Sequence, residues 1–326
     1  MRVIIADKAE TELIDGLNKL GCDVEYDASL GPETLPAAFK KTGAEALIVR
    51  STKVPASVID AAAGSLKLVI RAGSGYDNID CNAAAAKGVA VCNTPGMNAV
   101  AVAELAMGHL IALDRHLPDQ NAELKAGHWN KKKYSVAQGL KGRSLLVVGA
   151  GAIGREVITR AQAFGMKVSA YDVVLTAEMA KQMGVGYVDA TRAALLKALP
   201  GFDAVTLHVP AIDATKGMCD AEFFGAMKAG AYFINTSRGP VVNEGALAEA
   251  VSSGKIRAGI DVYCNQPAEK DLDWKPDIAA VDGVYCTHHC GASTDQAQIA
   301  VAEEVVRMIG LYQSEGRIEH CVNGVA

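Results

Sequence analysis

No apolar stretch in this sequence approaches the length of a membrane span, so a membrane is not expected as a partner. Nor is there the positive excess that nucleic acid or an anionic bilayer attracts, since the formal net charge is −5; no nucleic-acid partner is expected either. The opening run, Met1-Arg-Val-Ile-Ile-Ala-Asp7, is short and closes on an acid, which predicts a first core strand rather than a signal peptide. Repeats and low-complexity segments are absent, and no regulatory domain is expected after residue 326. Cys-x-x-Cys pairs are also missing. The eight cysteines are scattered, and without a secretion signal they are expected as free thiols of a cytoplasmic protein. Cys286-Thr-His-His-Cys290 gathers two thiols and two imidazoles, but neighbours on an extended segment point to alternating faces, so no metal is expected there.

What is present is a strand, a glycine turn, a helix and a second strand ending on an acid. An apolar run, Leu145–Val148, feeds Gly149, Gly151 and Gly154 in a G-x-G-x-x-G spacing. A helical stretch follows to about Phe164, and then Lys167–Tyr171 ends at Asp172. A dinucleotide site needs that order. The first glycine allows a tight turn, the second lets backbone approach a pyrophosphate, and the third lets helix pack on strand. Free N–H groups at the helix start favour phosphate. Asp172 can accept hydrogen bonds from a ribose diol and repels a 2′-phosphate, so the expected cofactor is NAD rather than NADP.

Strand and helix alternate nearly throughout, which argues for parallel sheets. Before the glycine turn, strands are predicted at Arg2–Ala6, Asp23–Tyr26, Ala46–Arg50, Leu68–Arg71 and Val89–Cys92, with helices such as Glu10–Leu20 and Pro55–Ala63 between them. A long helix is predicted over Ala99–Leu113. Later strands are expected at Ala204–Leu207, Ala231–Asn235, Ala258–Val262 and Gly283–Cys286, and a last helix at Asp295–Glu315. The fold class is therefore α/β: two Rossmann-like, doubly wound parallel-sheet domains, the NAD domain (98–293) inserted into a flavodoxin-like substrate domain (1–97 plus 294–326). Two lobes joined by two crossings are expected to form a hinged cleft.

Three segments carry side chains suited to moving a hydride onto a carbonyl. In Ile234-Asn-Thr-Ser-Arg-Gly-Pro240, Arg238 follows a predicted strand, where a guanidinium either holds a carboxylate bidentately or closes the strand with a salt bridge. Asp261 ends another strand, as a hydrogen-bond acceptor for a nicotinamide carboxamide or as a turn cap. His289 precedes Gly291 and a helix start, either as a proton donor to a forming alkoxide or as a structural donor. In the first hundred residues, Arg50, Lys53 and Arg71 stand at neighbouring strand ends, where they either meet an anion or are solvated punctuation. Lys131-Lys-Lys133 reads as a solvated loop or the rim of a cleft.

These segments, with Arg71-Ala-Gly-Ser-Gly-Tyr-Asp-Asn-Ile-Asp80, Asn93-Thr-Pro-Gly96 and the His289-x-Gly-Ala-Ser-Thr294 run, resemble the D-2-hydroxyacid dehydrogenase family across the whole chain. They are most similar to short D-3-phosphoglycerate dehydrogenases without a regulatory domain. The resemblance implies oxidation of 3-phosphoglycerate or a related 2-hydroxy acid on the way to serine, and a homodimer built on the NAD domains. It implies that Arg238 binds and polarises the 2-hydroxy or 2-keto acid and that His289 is the acid/base. The cofactor would lie along Gly149, Gly151, Ala152, Ile153, Gly154, Arg155, Asp172, His208, Val209, Pro210, Thr236, Ser237, Asp261 and Gly291. The substrate would meet Arg50, Ser51, Lys53, Arg71, Gly73, Ser74, Gly75 and Asn98, with Ser74 and Gly75 on a carboxylate-binding loop. Two departures stand out. His288 occupies the slot of a family proline, and Gln266 that of the glutamate paired with the catalytic histidine. A neutral amide orients an imidazole without stabilising its charge, so His289 is expected to have a lower pKa than a Glu-paired histidine. Gln266 with a following Asp271 and Trp274 also resembles NAD-dependent formate dehydrogenases. Other 2-hydroxyacid reductases, such as glyoxylate/hydroxypyruvate reductases, and a non-catalytic NAD sensor are the remaining alternatives.

Overall fold

The computed structural model describes residues 1–267 and 272–325; Asp271 lies outside them. The strands are β1 Arg2–Ile5, β2 Asp23–Tyr26, β3 Ala46–Val49, β4 Leu68–Arg71, β5 Ala90–Asn93, β6 Ser144–Val148, β7 Lys167–Tyr171, β8 Gly186–Val188, β9 Ala204–Leu207, β10 Ala231–Asn235, β11 Ile256–Ile260 and β12 Val284–Cys286. The α-helices are α1 Thr11–Lys19, α2 Leu35–Thr42, α3 Ala56–Ala61, α4 Cys81–Ala86, α5 Ala99–Arg115, α6 Leu117–Lys125, α7 Ala152–Ala163, α8 Ala177–Gln182, α9 Arg192–Ala198, α10 Ala221–Ala226, α11 Glu244–Ser252 and α12 Asp295–Glu315. The chain forms two compact units, Met1–Asn98 with the segment from Ser293 onward, and Ala99–Ala292.

The first unit holds a five-stranded parallel sheet in the order β2-β1-β3-β4-β5. Its inner strands are apolar apart from Arg2 and Arg71 at their ends, because helices cover both faces. Ile4, Leu47, Val49, Val69 and Val91 face one core, under α2 and α3. Val3, Ile5, Ile48, Ile70 and Cys92, one residue out of phase, face another. That second core is closed by α1 and α12, which meet where Gly16 lies against Val306; a Cβ on Gly16 would come within 2.5 Å of that valine.

In the second unit a seven-stranded parallel sheet runs β12-β11-β10-β9-β6-β7-β8. Leu146, Val148, Leu207, Phe233 and Ile260 face one core, where Phe223, Phe224 and Phe233 meet edge to face; Leu145, Val147 and Ile234 face the other. Helix α5 lies close on β11 at Gly259, where a Cβ would come within 2.8 Å of the His109 ring. The order reverses between β6 and β9 here, and between β1 and β3 in the first unit. Ligands of open α/β sheets favour the carboxyl ends of strands at such points. β8 was not expected from the sequence, β5 lies one residue later than Val89–Cys92, and β11 occupies Ile256–Ile260, two residues earlier than Ala258–Val262. Val262 is buried but lies beyond the strand, in the turn that follows Asp261.

Candidate functional site

At the end of β6 the three glycines do different things. Gly149 has φ +96°, and a Cβ there would come within 2.7 Å of the His208 carbonyl, so only glycine fits. Gly154 sits in the first turn of α7, where a Cβ would come within 2.0 Å of the Gly149 oxygen. Around Gly151, at the exposed start of α7, that space is open. Helix and strand are thus locked together while the middle of the turn is clear. This is the shape a pyrophosphate needs to reach the helix N–H groups. Ala152 is exposed beside it and Ile153 half-buried. Arg155 Nε donates to the Ala150 carbonyl at 3.1 Å and braces the turn. Asp172, one strand across, accepts from Ala150 N at 2.7 Å with one oxygen and from Val174 N at 2.8 Å with the other. It stays half-exposed. A carboxylate has about four lone-pair positions, so both oxygens can still accept from a ribose diol.

His208 follows β9, its N–H donating to the Val148 carbonyl at 2.7 Å. Its Nε2 lies 2.9 Å from Thr206 Oγ1, whereas its Nδ1 is buried without a partner among the described residues, as is Thr236 Oγ1 just past β10. Burial pulls the His208 pKa down to about 3, so the ring is neutral. Orphaned buried polar atoms are uncommon and call for a partner. A dinucleotide's amide and hydroxyl groups fit them, and with the open turn at Gly151 they make this sheet edge suited to NAD. Val209 is half-buried, and Pro210 is exposed on the same loop.

Past β10, Asn235 organises the next turn. Its Oδ1 accepts from Ser237 N and Oγ at 2.9 and 2.7 Å, and its Nδ2 donates to the Arg238 carbonyl at 3.0 Å. The Ser237 hydroxyl is therefore spent inside the protein. Arg238 is half-buried, and its Nη1 donates to the Ser237 carbonyl at 2.8 Å. At Gly239 a Cβ would come within 2.1 Å of the Tyr263 backbone, which presses this turn onto the one after β11.

Asp261, expected at the nicotinamide or as a turn cap, lies just past β11. The carboxylate is 1% exposed, and both oxygens serve its own protein. Oδ1 accepts from Thr287 Oγ1 at 2.5 Å and Cys290 N at 3.0 Å, and Oδ2 from Gly291 N at 2.9 Å. It is the turn-holding reading that the geometry fits. Two residues that sequence reasoning passed over help it. The Tyr263 hydroxyl donates to the Thr287 carbonyl at 2.7 Å, and His109 Nε2, on α5, lies 3.1 Å from Thr287 Oγ1. Burial lowers the His109 pKa, with Asp261 opposing, which leaves a neutral ring suited to one hydrogen bond. The only signal for either was a polar tip in an apolar run.

On this pinned loop His289 is exposed and left-handed, with φ +50°. Its Nδ1 lies 2.7 Å from Gln266 Nε2, while Gln266 Oε1 accepts from Tyr263 N at 3.4 Å. The structure thus brings Gln266 and His289 together. His288 is exposed beside them.

In the first unit Asp7, just past β1, is 4% exposed. It accepts from Arg50 N at 2.7 Å, Ser51 N and Thr52 N at 3.0 Å, and Ser51 Oγ at 2.8 Å. Burial works against the charge, but these hydrogen bonds outweigh it and hold the Asp7 pKa down to about 2. The Ser51 hydroxyl, expected at the substrate, is therefore engaged by Asp7. Arg50 is half-buried, Lys53 exposed. Arg71 Nε donates to the Arg50 carbonyl at 3.1 Å, and its guanidinium folds over Gly73, whose φ of +142° and absent Cβ make room for it. Ser74 Oγ donates to Asn98 Oδ1 at 2.8 Å, and the Ser74 carbonyl accepts from Asn93 Nδ2 at 2.6 Å. Gly75 follows, half-buried.

Residues 107–291 match the model of the D-isomer specific 2-hydroxyacid dehydrogenase NAD binding domain. The chain belongs to that family. It is 42% identical over 267 residues to a hydroxypyruvate reductase of Thermotoga maritima, covering 81% of this chain and 83% of that one. It is 38% identical over 314 residues to a D-3-phosphoglycerate dehydrogenase of Archaeoglobus fulgidus, covering 94% of this chain and 57% of that one. The chain spans about half the length of the curated phosphoglycerate dehydrogenases it matches. A solved D-isomer specific 2-hydroxyacid dehydrogenase from Polaromonas sp. superposes with a TM-score of 0.85 at 27% identity, covering 98% of this chain and 99% of that one. The second unit therefore carries an NAD binding domain, and both units have the parallel α/β architecture of the family.

Proposed function

We propose that this chain is an NAD-dependent dehydrogenase of D-2-hydroxy acids and that its acid is 3-phosphoglycerate, oxidised at the entrance to serine synthesis. The observation that carries the reading is the pinned loop bearing His289, with Gln266 from the segment after β11 set against the ring, on the same sheet whose β6 edge fits a dinucleotide. Relatives named for this activity supply the substrate. When bound, NAD supplies the hydride acceptor. The turn at Gly149–Gly154 and Asp172 would hold its phosphates and ribose, and the orphaned atoms of His208 and Thr236 would take its polar groups.

Arg238 holds the acid's carboxylate and stabilises charge on the oxygen of the reacting carbon. His289 takes the hydroxyl proton at Nε2 during oxidation and returns it during reduction. Gln266 fixes the ring from the far side. Its amide N–H donates to a bare Nδ1, and the amide turned over accepts from a protonated one. Neither arrangement adds a negative charge, so imidazolium gains orientation but little stabilisation. In the first unit, the family resemblance gives backbone N–H groups at Ser74 and Gly75 the role of carboxylate donors, and Arg50, Lys53 and Arg71 that of phosphate partners. We assign the substrate role to 1–97 with 294–326 and the cofactor role to 98–293.

The same reading makes the protein a cytoplasmic homodimer joined through its NAD domains. Leu117, Leu124, Trp129 and Val136 support this, being exposed apolar side chains within one stretch of that unit.

A substrate panel tests the activity. With NAD, 3-phosphoglycerate should give NADH absorbance well above other D-2-hydroxy acids, and NADH should be consumed with the matching keto acid. Faster turnover of hydroxypyruvate than of the phosphorylated pair would make this a reductase of the unphosphorylated acid. Turnover of formate would move it to the formate-oxidising chemistry that the Gln–His pair allows. Tight NAD binding without turnover of any acid would make it a sensor.

A further inference from the structure

The segment after α12 lies along β5, the outer strand of the first unit's sheet. Asn93 N donates to the His320 carbonyl at 3.3 Å, and Val322 N to the Val91 carbonyl at 2.8 Å. These two bonds bracket Cys92 and Cys321, which form an antiparallel pair with no hydrogen bond between their own backbones. In such pairs the Cα atoms are about 4.5 Å apart and the side chains share a face at close quarters. A disulfide spans Cα separations of about 4.4–6.8 Å, so the backbone here already has the spacing a disulfide needs. Both side chains face the core under α1 and α12; Cys92 is fully buried and Cys321 half-buried.

The segment has other anchors. Asn323 Oδ1 accepts from Val91 N at 3.0 Å, and its Nδ2 donates to the Val89 carbonyl at 2.9 Å and the Cys81 carbonyl at 3.5 Å. Arg307 on α12 pairs with Glu304 and Glu319, and Arg317 with Glu319. These surface contacts are weak individually. They hold the segment in register without a covalent link.

We propose that Cys92 and Cys321 are a redox pair, which a hydroperoxide converts to a disulfide that staples the segment after α12 to β5. Cys321 is the accessible partner and reacts first. Its sulfur attacks one peroxide oxygen, the O–O bond breaks, and water or an alcohol leaves, giving the sulfenic acid. The Cys92 thiol then attacks that sulfur. The S–O bond breaks, water leaves with the Cys92 proton, and the S–S bond forms. Two thiols are oxidised, and one hydroperoxide is reduced. Burial, and secondarily the neighbouring Cys321, push the Cys92 thiol up to about 12, which leaves the first encounter with the oxidant to Cys321. Cys81, half-buried at the start of α4, is the nearest competitor for Cys321.

The test is peptide mapping of the whole chain before and after hydrogen peroxide, with hydrogen exchange on the same samples. Oxidation should yield one linked peptide pair, Cys92 with Cys321, two hydrogens lighter than its parts and split by dithiothreitol. Amide exchange across 319–324 should slow by about tenfold or more, since opening of the segment then requires unzipping beside a covalent tie. Cys321→Ser, at a half-buried position, should abolish both effects, and Cys92→Ala should leave Cys321 to over-oxidise to the sulfinic acid. A link from Cys321 to Cys81 would overturn the proposal, as would sulfinic Cys321 in the parent chain with Cys92 still reduced. Both readouts are independent of the dehydrogenase reading.

Discussion

Asp7 in one sheet and Asp261 in the other solve the same problem. Each stands just past a strand, buried, and gathers the loop that follows the neighbouring strand. Asp7 collects three backbone N–H groups and a hydroxyl from the loop after β3, and Asp261 collects two N–H groups and a hydroxyl from the loop after β12. Asp172 is the third example, reaching from β7 to the turn after β6, but with one N–H of that turn and a half-open carboxylate. The difference between the buried pair and the half-open one separates two uses of a carboxylate. Fully enclosed, it sets a loop's shape and has little left for a ligand. Half-open, it sets the shape and still faces outward.

Removing each carboxylate's charge without changing its size is the direct way to break that comparison. Asp261→Asn should have the largest effect. It turns an amide NH₂ or a weakened acceptor toward three donors, in a site where buried charged hydrogen bonds contribute about 1.5–3 kcal/mol apiece. We expect loss of about 3 kcal/mol in chemical denaturation and a fall in kcat of about a hundredfold, as His289 loses its loop.

Asp7→Asn should cost about 2 kcal/mol, matching its pKa of about 2 in the fold against 3.8 in the open chain. Because the folded value is the lower one, this stabilisation is complete above about pH 4 and disappears as pH falls toward 2. The parent should lose stability in that window faster than the variant does, read from urea midpoints at each pH. Equal slopes would mean that Asp7 is not the anchor. Asp172→Asn should barely move stability, by under about 1 kcal/mol, yet weaken NAD binding about tenfold by calorimetry. A stability loss as large as that of Asp7→Asn would erase the distinction drawn here.

The smallest change concerns Gln266. Gln266→Glu puts a negative charge beside His289, 2.7 Å from where the amide now sits, and should move the alkaline limb of carbonyl reduction upward by about one pH unit. An unmoved limb would mean that the two side chains do not interact in solution.

Much of this was legible in the sequence, and the reasons for the rest are physical. β9 and β10 are buried along their whole length, and they fall where apolar runs end at turn residues, because a strand covered on both faces must be largely apolar. The glycine turn was legible because its spacing and its steric demands coincide. β11 was misplaced because Val262 extends the apolar run past the point where backbone pairing stops. The acid clamps were invisible for another reason. Asp7 acts on residues 43 to 45 positions away and Asp261 on residues up to 30 away, and nothing in the local pattern marks an acid as the partner of a distant loop. His109 was concealed similarly, as one polar residue in a helix whose other buried positions are mostly apolar.

The packing of α12 against α1 has a consequence for how the protein is made. A nascent chain that has reached residue 98 already contains all five strands of its first sheet, but the helix that shields one side of Val3, Ile5, Ile48 and Ile70 lies nearly two hundred residues downstream. At a synthesis rate of about 5–20 residues per second, that side waits on the order of ten seconds or more for its cover. Through that interval the unfinished sheet keeps part of its greasy flank open to water, and the arrival of α12 closes it.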